Sequence, residues 1–289
     1  MGGRRDLVRR LRALGDIGAI LGVMKNLALM EIGKLSRILP AQREMVESLE
    51  ATAADFLAFH PQPGPAPGDG IEVRLLVGSQ WGFCGEFNDL LVTAVSALGE
   101  DGGPKPLRIA VGGKLAGRLP ADLQLNGPHA VEETGEVLHE VMKALGTLLA
   151  RADGVRPFRV VALHHDPDTG GVVVRQLSPF PEQATRPSLP HFPPHLNIPP
   201  AAFFAKLTEQ HLLASLTGVF HRSLMAECRF RLNHIEGASS RLERRTAELK
   251  RKQLLLRQEE IIEEIEAILA AAEASELEAD ASTNGRKGS

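Results

Sequence analysis

A glycine-rich turn, Gly78-Ser79-Gln80-Trp81-Gly82-Phe83-Cys84-Gly85, lies between the strand-like run Ile71–Val77 and a helix-like run that starts at Phe87. This is where an α/β protein would cradle a phosphate on backbone amides. The turn has neither the Lys-Ser/Thr ending of a P-loop nor the glycine spacing of a dinucleotide fingerprint. Cys84 would be a nucleophile only as a thiolate, and no local pattern sets a His or Lys beside it. It reads as a small buried thiol, structural like its neighbours Gly82 and Gly85. His164-His165 and the pair His191/His195 carry metal-ligand chemistry. Adjacent strand residues face opposite sides, however, and the second pair lies among prolines without a rigid scaffold, so neither pair reads as a metal site. The basic cluster Arg241, Arg244, Arg245, Lys250, Arg251, Lys252 could meet phosphates, but acidic residues interleave and no aromatic accompanies it. A solvated, salt-bridged helix face accounts for it. No catalytic residue, cofactor or metal is expected.

The elements that hold this turn are of two kinds. Arg4 to Phe59 and Phe203 to Ala272 each read as one long helix, and Ile71 to Leu177 between them alternates strand-like and helical runs. At about 1.5 Å per residue the C-terminal helix would reach on the order of 100 Å and must lie on something. The other terminal helix is the simplest partner. The expected fold is therefore α/β: a long antiparallel coiled coil of the two terminal helices carrying a small Rossmann-like domain.

In the first helix Leu7, Leu11, Leu14, Ile17, Leu21, Met24, Ala28, Leu35 and Leu39 recur mostly at threes and fours, which makes one apolar stripe. Gly15, Gly18 and Gly22 fall inside it; each costs roughly 1 kcal/mol against Ala, unless it lets another backbone come close. Pro40 is expected to kink or break the helix. In the last helix Ile235, Leu242, Leu249 and Leu256 are spaced by sevens, and Ile261, Ile265, Ile268 and Ala272 by fours and threes. This predicts a coiled-coil seam interrupted by the polar stretch Glu243 to Gln253. Charge is segregated there: Arg222 to Arg257 holds ten basic and four acidic residues, and Glu259 to Glu276 holds seven acidic and none basic. Acid at a helix C-terminus opposes the macrodipole, so a complementary partner surface is the sharper reading and a solvated face the plainer one.

The middle reads as strand Ile71–Val77, helix Phe87–Leu98, strand Leu107–Val111 and helix Val131–Ala152. Strands Val160–Leu163 and Val172–Val174 follow, around the turn Asp166-Pro167-Asp168-Thr169-Gly170-Gly171. That order predicts a small, mostly parallel sheet with one antiparallel addition. The expected division is 1–60 N-terminal helix, 61–70 Pro/Gly linker, 71–178 α/β domain, 179–200 Pro-rich return, 201–276 C-terminal helix and 277–289 polar tail. A net charge of −3 points to neither nucleic acid nor membrane, and two cysteines far apart suit a reducing compartment. No unbroken apolar run approaches the roughly 18 residues of a membrane span, and the N-terminus has no secretory core. A soluble chain is expected, held to a membrane only through partners.

Three stretches carry a resemblance to a known family. Ile20-Leu21-Gly22-Val23-Met24-Lys25-Asn26-Leu27-Ala28 is similar to Ile-Thr-x-Ala-Met-x-x-Val-Ala. Ser79-Gln80-Trp81-Gly82-Phe83-Cys84-Gly85-Glu86-Phe87-Asn88 resembles Ser-Asp-x-Gly-Leu-Cys-Gly-Gly-Leu-Asn. Arg257-Gln258-Glu259-Glu260-Ile261-Ile262-Glu263-Glu264-Ile265 resembles Arg-Gln-x-x-Ile-Thr-x-Glu-Leu. These are motifs of the gamma subunit of F-type ATP synthases, and Glu227, Arg231 and Ala238 also fall where that family carries Glu, Arg and Ala. The chain departs from the pattern at Leu21, Gln80 and Ile262, and Glu31 stands where the family carries Lys.

The resemblance implies a central-stalk rotor, non-catalytic by itself, that couples ion-driven rotation of the membrane ring to ATP synthesis or hydrolysis. Its partners would be the alpha and beta subunits of the catalytic hexamer, the epsilon subunit and the c-subunit ring. It would work on the cytoplasmic face of a bacterial inner membrane. Arg257, Gln258, Glu264, Met24, Lys25, Glu227 and Arg231 are the partner-binding residues it implies. Two other readings of the residues stand beside it at this point: a nucleotide-binding enzyme that uses the glycine-rich turn, and a coiled-coil adaptor.

Overall fold

The computed structural model describes residues 2–61, 71–99, 105–151, 158–178, 180, 192–193 and 195–284. The elements, in order, are α1 (Gly2–Phe59), β1 (Ile71–Val77), α2 (Phe87–Ala97), β2 (Leu107–Val111), β3 (Leu123–Leu125), a 3-10 turn (Val131–Glu133), α3 (Thr134–Arg151), β4 (Phe158–His165), β5 (Val172–Ser178) and α4 (Pro200–Asn284). The 61–70 linker and the 179–200 return lie largely outside the described residues, as does the last part of the polar tail. The first part of that tail continues α4 to Asn284. At three residues, β3 is too short to show a period in the sequence.

The chain forms two compact units, residues 24–235 and residues 1–23 with 236–289, and both long helices contribute to each. The larger unit is built on a five-stranded sheet of order β3-β2-β1-β4-β5. β1 pairs in parallel with β2 and β4, β3 is parallel to β2, and β5 is antiparallel to β4. Strand alternation sends Val73, Leu75 and Val77 to one face, where Leu145 and Leu148 of α3 and Leu216, Val219 and Phe220 of α4 cover them. Leu76, Ala110, Val161 and Leu163 face α2 through Leu91 and Val95. Each such valine, leucine or phenylalanine contributes roughly 1.5–3 kcal/mol when buried.

Within this unit α1 and α4 run antiparallel. Ala28 and Leu35 meet Leu224, Met225 and Cys228, the Gln42 amide donates to the Ala214 carbonyl at 2.8 Å, and Phe56 stacks on Phe204 and meets Phe203 at a tilt. Pro40 neither ends nor interrupts α1. It is exposed, and it lies on a helix held from both sides by these contacts.

In the smaller unit the seam of sevens holds, with Leu249 buried and Leu242 and Leu256 half-buried. The polar stretch does not interrupt it, because Thr246 and Gln253 fill the intervening seam positions half-buried. On α1 the stripe passes through Gly18 and not Ile17, which is 47% exposed. A Cβ on Gly18 would stand 3.4 Å from Leu242 Cδ2, whereas Gly15 and Gly22 face open space. Only Gly18 serves close approach; the other two glycines simply lower helix propensity.

The expected continuation of the seam through Ile261, Ile265 and Ile268 is not formed. All three are exposed, and the side chain of Ala272 lies outside the described set. With Gly18 facing Leu242, the described residues of α1 pair with α4 to about position 258. Among the described residues no helix lies against α4 beyond that point.

α1 also contains a window long and apolar enough to cross a membrane by length and composition. Counting unbroken apolar runs misses it, because glycines and single charges divide it. It is mostly exposed.

Candidate functional site

The loop after β1 sits where the order of the sheet turns back on itself, between β1 and β4. This is the crevice in which open α/β sheets bind nucleotides. Its geometry is tight. A Cβ on Gly112, which has φ +120°, would lie 2.7 Å from the Gly78 carbonyl oxygen. Gly85 takes φ +55°, and Phe83 is held at φ +62°, a conformation that favours glycine and costs on the order of 1 kcal/mol or more.

Three consecutive amides of the loop are occupied by side chains of the protein. Ser79 N–H donates to Asn88 Oδ1 at 3.0 Å. Gln80 N–H and Trp81 N–H donate to the two carboxylate oxygens of Glu227, at 3.2 and 3.0 Å. Glu227 reaches in from α4, is 3% exposed, and also accepts a bond from Arg231, one turn further on. The acid therefore takes the place a ligand phosphate would fill.

Burial pushes the Glu227 carboxyl above its ordinary range, while Arg231 and the two amides favour its ionised form. Arg231 gives one N–H each toward Cys84 Sγ and Cys228 Sγ, both at 3.8 Å. Burial lifts both thiols to about 12, so neither is a thiolate near neutral pH. These bonds make the site a joint between α4 and the loop after β1.

A second set of bonds, legible in the sequence only as isolated departures, surrounds the first. Gln80 Oε1 accepts the amides of Gly113 and Gly127, both at 2.8 Å. Trp81 Nε1 donates to the His129 carbonyl at 3.3 Å. Glu31, 6% exposed on α1, accepts the Val131 amide at 3.0 Å. Met24 and Arg231 line a cavity of about 300 Å³ with Leu27, Met30, Trp81 and His129.

The residues that the family motifs point to therefore divide. Glu227, Arg231, Cys84, Gly82 and Gly85 come together in one joint, with Met24 beside it and Lys25 half-buried on the same helix. Glu227 and Arg231, expected at a partner surface, instead spend their bonds inside the chain. Arg257, Gln258 and Glu264 belong to the other unit and are exposed; among the described residues none of the three side chains is held by a hydrogen bond or ion pair. His164 and His165 do face opposite sides of β4, and both are buried. His165 stacks on Phe87 at 3.8 Å, and His164 Nδ1 lies 2.9 Å from the His165 carbonyl.

A family model described as ATP synthase matches residues 3–274. The chain belongs to the gamma family of F-type ATP synthases. It is thus a central-stalk subunit of an ATP synthase, a component of a membrane-associated complex, and its binding partners lie within that assembly.

Solved structures share the fold of this gamma-family chain. One is from the mitochondrial ATP synthase of Euglena gracilis, its rotor in rotational state 1, with 13% identity, 90% of this chain and 99% of that chain covered, and a TM-score of 0.58. Another, from the OSCP/F1/c-ring assembly of the same enzyme in rotational state 3, has 13% identity, covers 94% of each chain and has a TM-score of 0.60. A third, from the central stalk/c-ring of the Tetrahymena thermophila mitochondrial ATP synthase, has 15% identity, covers 76% of this chain and 99% of that one, and has a TM-score of 0.54. No curated protein matches the sequence.

Proposed function

We propose that this subunit is a rotor without catalytic activity of its own, coupling ion-driven rotation of a c-subunit ring to ATP synthesis or hydrolysis in a hexamer of alpha and beta subunits. The observation that carries the non-catalytic reading is Glu227. A carboxylate of the chain itself takes two of the loop amides at the sheet's ligand crevice, donors that a nucleotide phosphate would otherwise need.

The shaft reading draws on α4, where Leu254, Leu255, Ile261, Ile265, Ile268 and Leu269 are all more than half exposed or close to it. Such a row needs a sleeve, and a hexamer of alpha and beta subunits provides one. Arg257 and Gln258 are the grip on a beta subunit in this reading, at the point where the cover from α1 ends. Arg suits the task because its planar fork holds a carboxylate bidentately and stays charged. Glu264, Met24 and Lys25 are further contacts, and the epsilon subunit and c ring take the α/β unit and its side of the stalk. The working location is the cytoplasmic face of a bacterial inner membrane, reached through partners.

Reconstitution tests the reading. The full chain mixed with alpha and beta subunits should co-purify as one complex with ATPase activity, while the chain alone binds no ATP in equilibrium dialysis. Saturable ATP binding by the isolated chain, or failure to enter the complex, would overturn it.

A further inference from the structure

The segment Gly127–Glu133 is held from two sides at nearly every other residue. From the loop after β1, Gln80 bonds the Gly127 amide, and the Trp81 indole bonds the His129 carbonyl, with its ring 5.0 Å from the His129 ring. From α1, Glu31 Oε2 accepts the Val131 amide at 3.0 Å. Lys34 Nζ spans Glu31 and Glu132, at 2.8 Å to each. The Val131 side chain packs on the cluster that joins α1 to α4. Glu227 meanwhile fastens the loop after β1 to α4. The contacts close a ring: α4 to the loop after β1, that loop to 127–133, 127–133 to α1, and α1 back to α4.

We propose that Glu31 is a positioning residue that locks the α/β sheet to the helix pair, so that the two turn as one body. The inference rests on the rotor reading above. Its physical basis is acceptor chemistry: a buried carboxylate can take the Val131 amide and the Lys34 ammonium together, one on each oxygen. A lysine at this position could do neither. Gln80 makes the matching bridge, its single amide oxygen tying the turn after β2 (Gly113) to the turn after β3 (Gly127). The exposed Lys34–Glu132 pair adds little by itself; the half-buried Glu31–Val131 bond fastens 127–133 to α1.

The test uses the assembled complex carrying Glu31→Ala, Glu31→Gln or Gln80→Ala. It reads backbone hydrogen exchange over 127–133 and ions transported per ATP hydrolysed. Glu31→Ala should speed exchange there by roughly tenfold, the factor one charge-assisted bond supports, and lower transport per ATP while hydrolysis continues. Glu31→Gln keeps one acceptor for Val131 but loses the charge and the Lys34 bond, and should fall between the parent and Glu31→Ala on both readouts. Gln80→Ala should loosen Gly113 and Gly127 but not Val131. In the isolated full chain the sole tryptophan, Trp81, should shift its emission to the red on Glu31→Ala, which reports the clamp without any rotation. Unchanged exchange and emission in Glu31→Ala would overturn the clamp. Faster exchange with unchanged transport would overturn its mechanical role. A parent complex that hydrolyses ATP but transports nothing would count instead against the rotor reading.

Discussion

Glu227 and Arg257 lie on the same helix and depend on opposite surroundings. Glu227 is 3% exposed, and its bonds all run to its own chain. Arg257 is exposed and, among the described residues, unbonded. A buried carboxylate is tolerable only when fully partnered, so its neighbours must be in place for the chain to fold. An exposed guanidinium costs nothing to leave in water, so a role for it must come from another molecule. The first is therefore read through stability and the second through turnover.

The largest effect should come from breaking the buried half. Glu227→Ala leaves Arg231 as a lone buried cation and orphans two loop amides, a loss of about 3–5 kcal/mol in urea denaturation of the full chain. A loss under about 1 kcal/mol would mean that Arg231 relaxes to solvent and that the joint is not the keystone described.

Next comes pH. Burial lowers His164 from 6.5 to about 4. The unfolded chain therefore binds a proton that the folded chain does not, so stability is full above about pH 6.5 and falls as the pH drops toward 4. The contribution approaches about 3 kcal/mol, and His164→Gln should remove that part of the acid sensitivity, seen as the difference between the two proteins' stability curves. Parallel curves would show that the histidine is solvated.

The exposed half is tested by Arg257→Ala with Gln258→Ala. Chain stability should move by less than about 0.5 kcal/mol. ATP hydrolysis by the reconstituted complex should fall about tenfold, the cost of one charge-assisted bond made in a single rotary state. Unchanged turnover in an intact complex would leave the pair as solvated surface. The smallest effect sharpens the contrast within α1: Gly15→Ala and Gly22→Ala, facing open space, should each stabilise the chain by up to about 1 kcal/mol in thermal unfolding. At Gly18 a leucine, unlike an alanine, should destabilise, because Leu242 is already in contact range.

Periodicity alone determined much of this protein. Two long helices, a mostly parallel sheet between them and the glycine-rich turn were legible because each rests on local spacing of three to four, or two, residues. Three short motifs carried the family. What the sequence could not decide is which side chains meet. The seam runs through Gly18 and not Ile17, because a glycine has no hydrophobicity to count yet permits the closest approach. Ile261 to Ile268 continue the period but not the pairing, since period is a property of one helix and burial a property of two. Glu31 and Gln80 stood out only as departures from a motif, and their meaning is visible once residues about 50 to 100 positions away are brought to their oxygens. Tertiary structure decided those contacts because a hydrogen bond depends on distance in space, which separation along the chain does not encode.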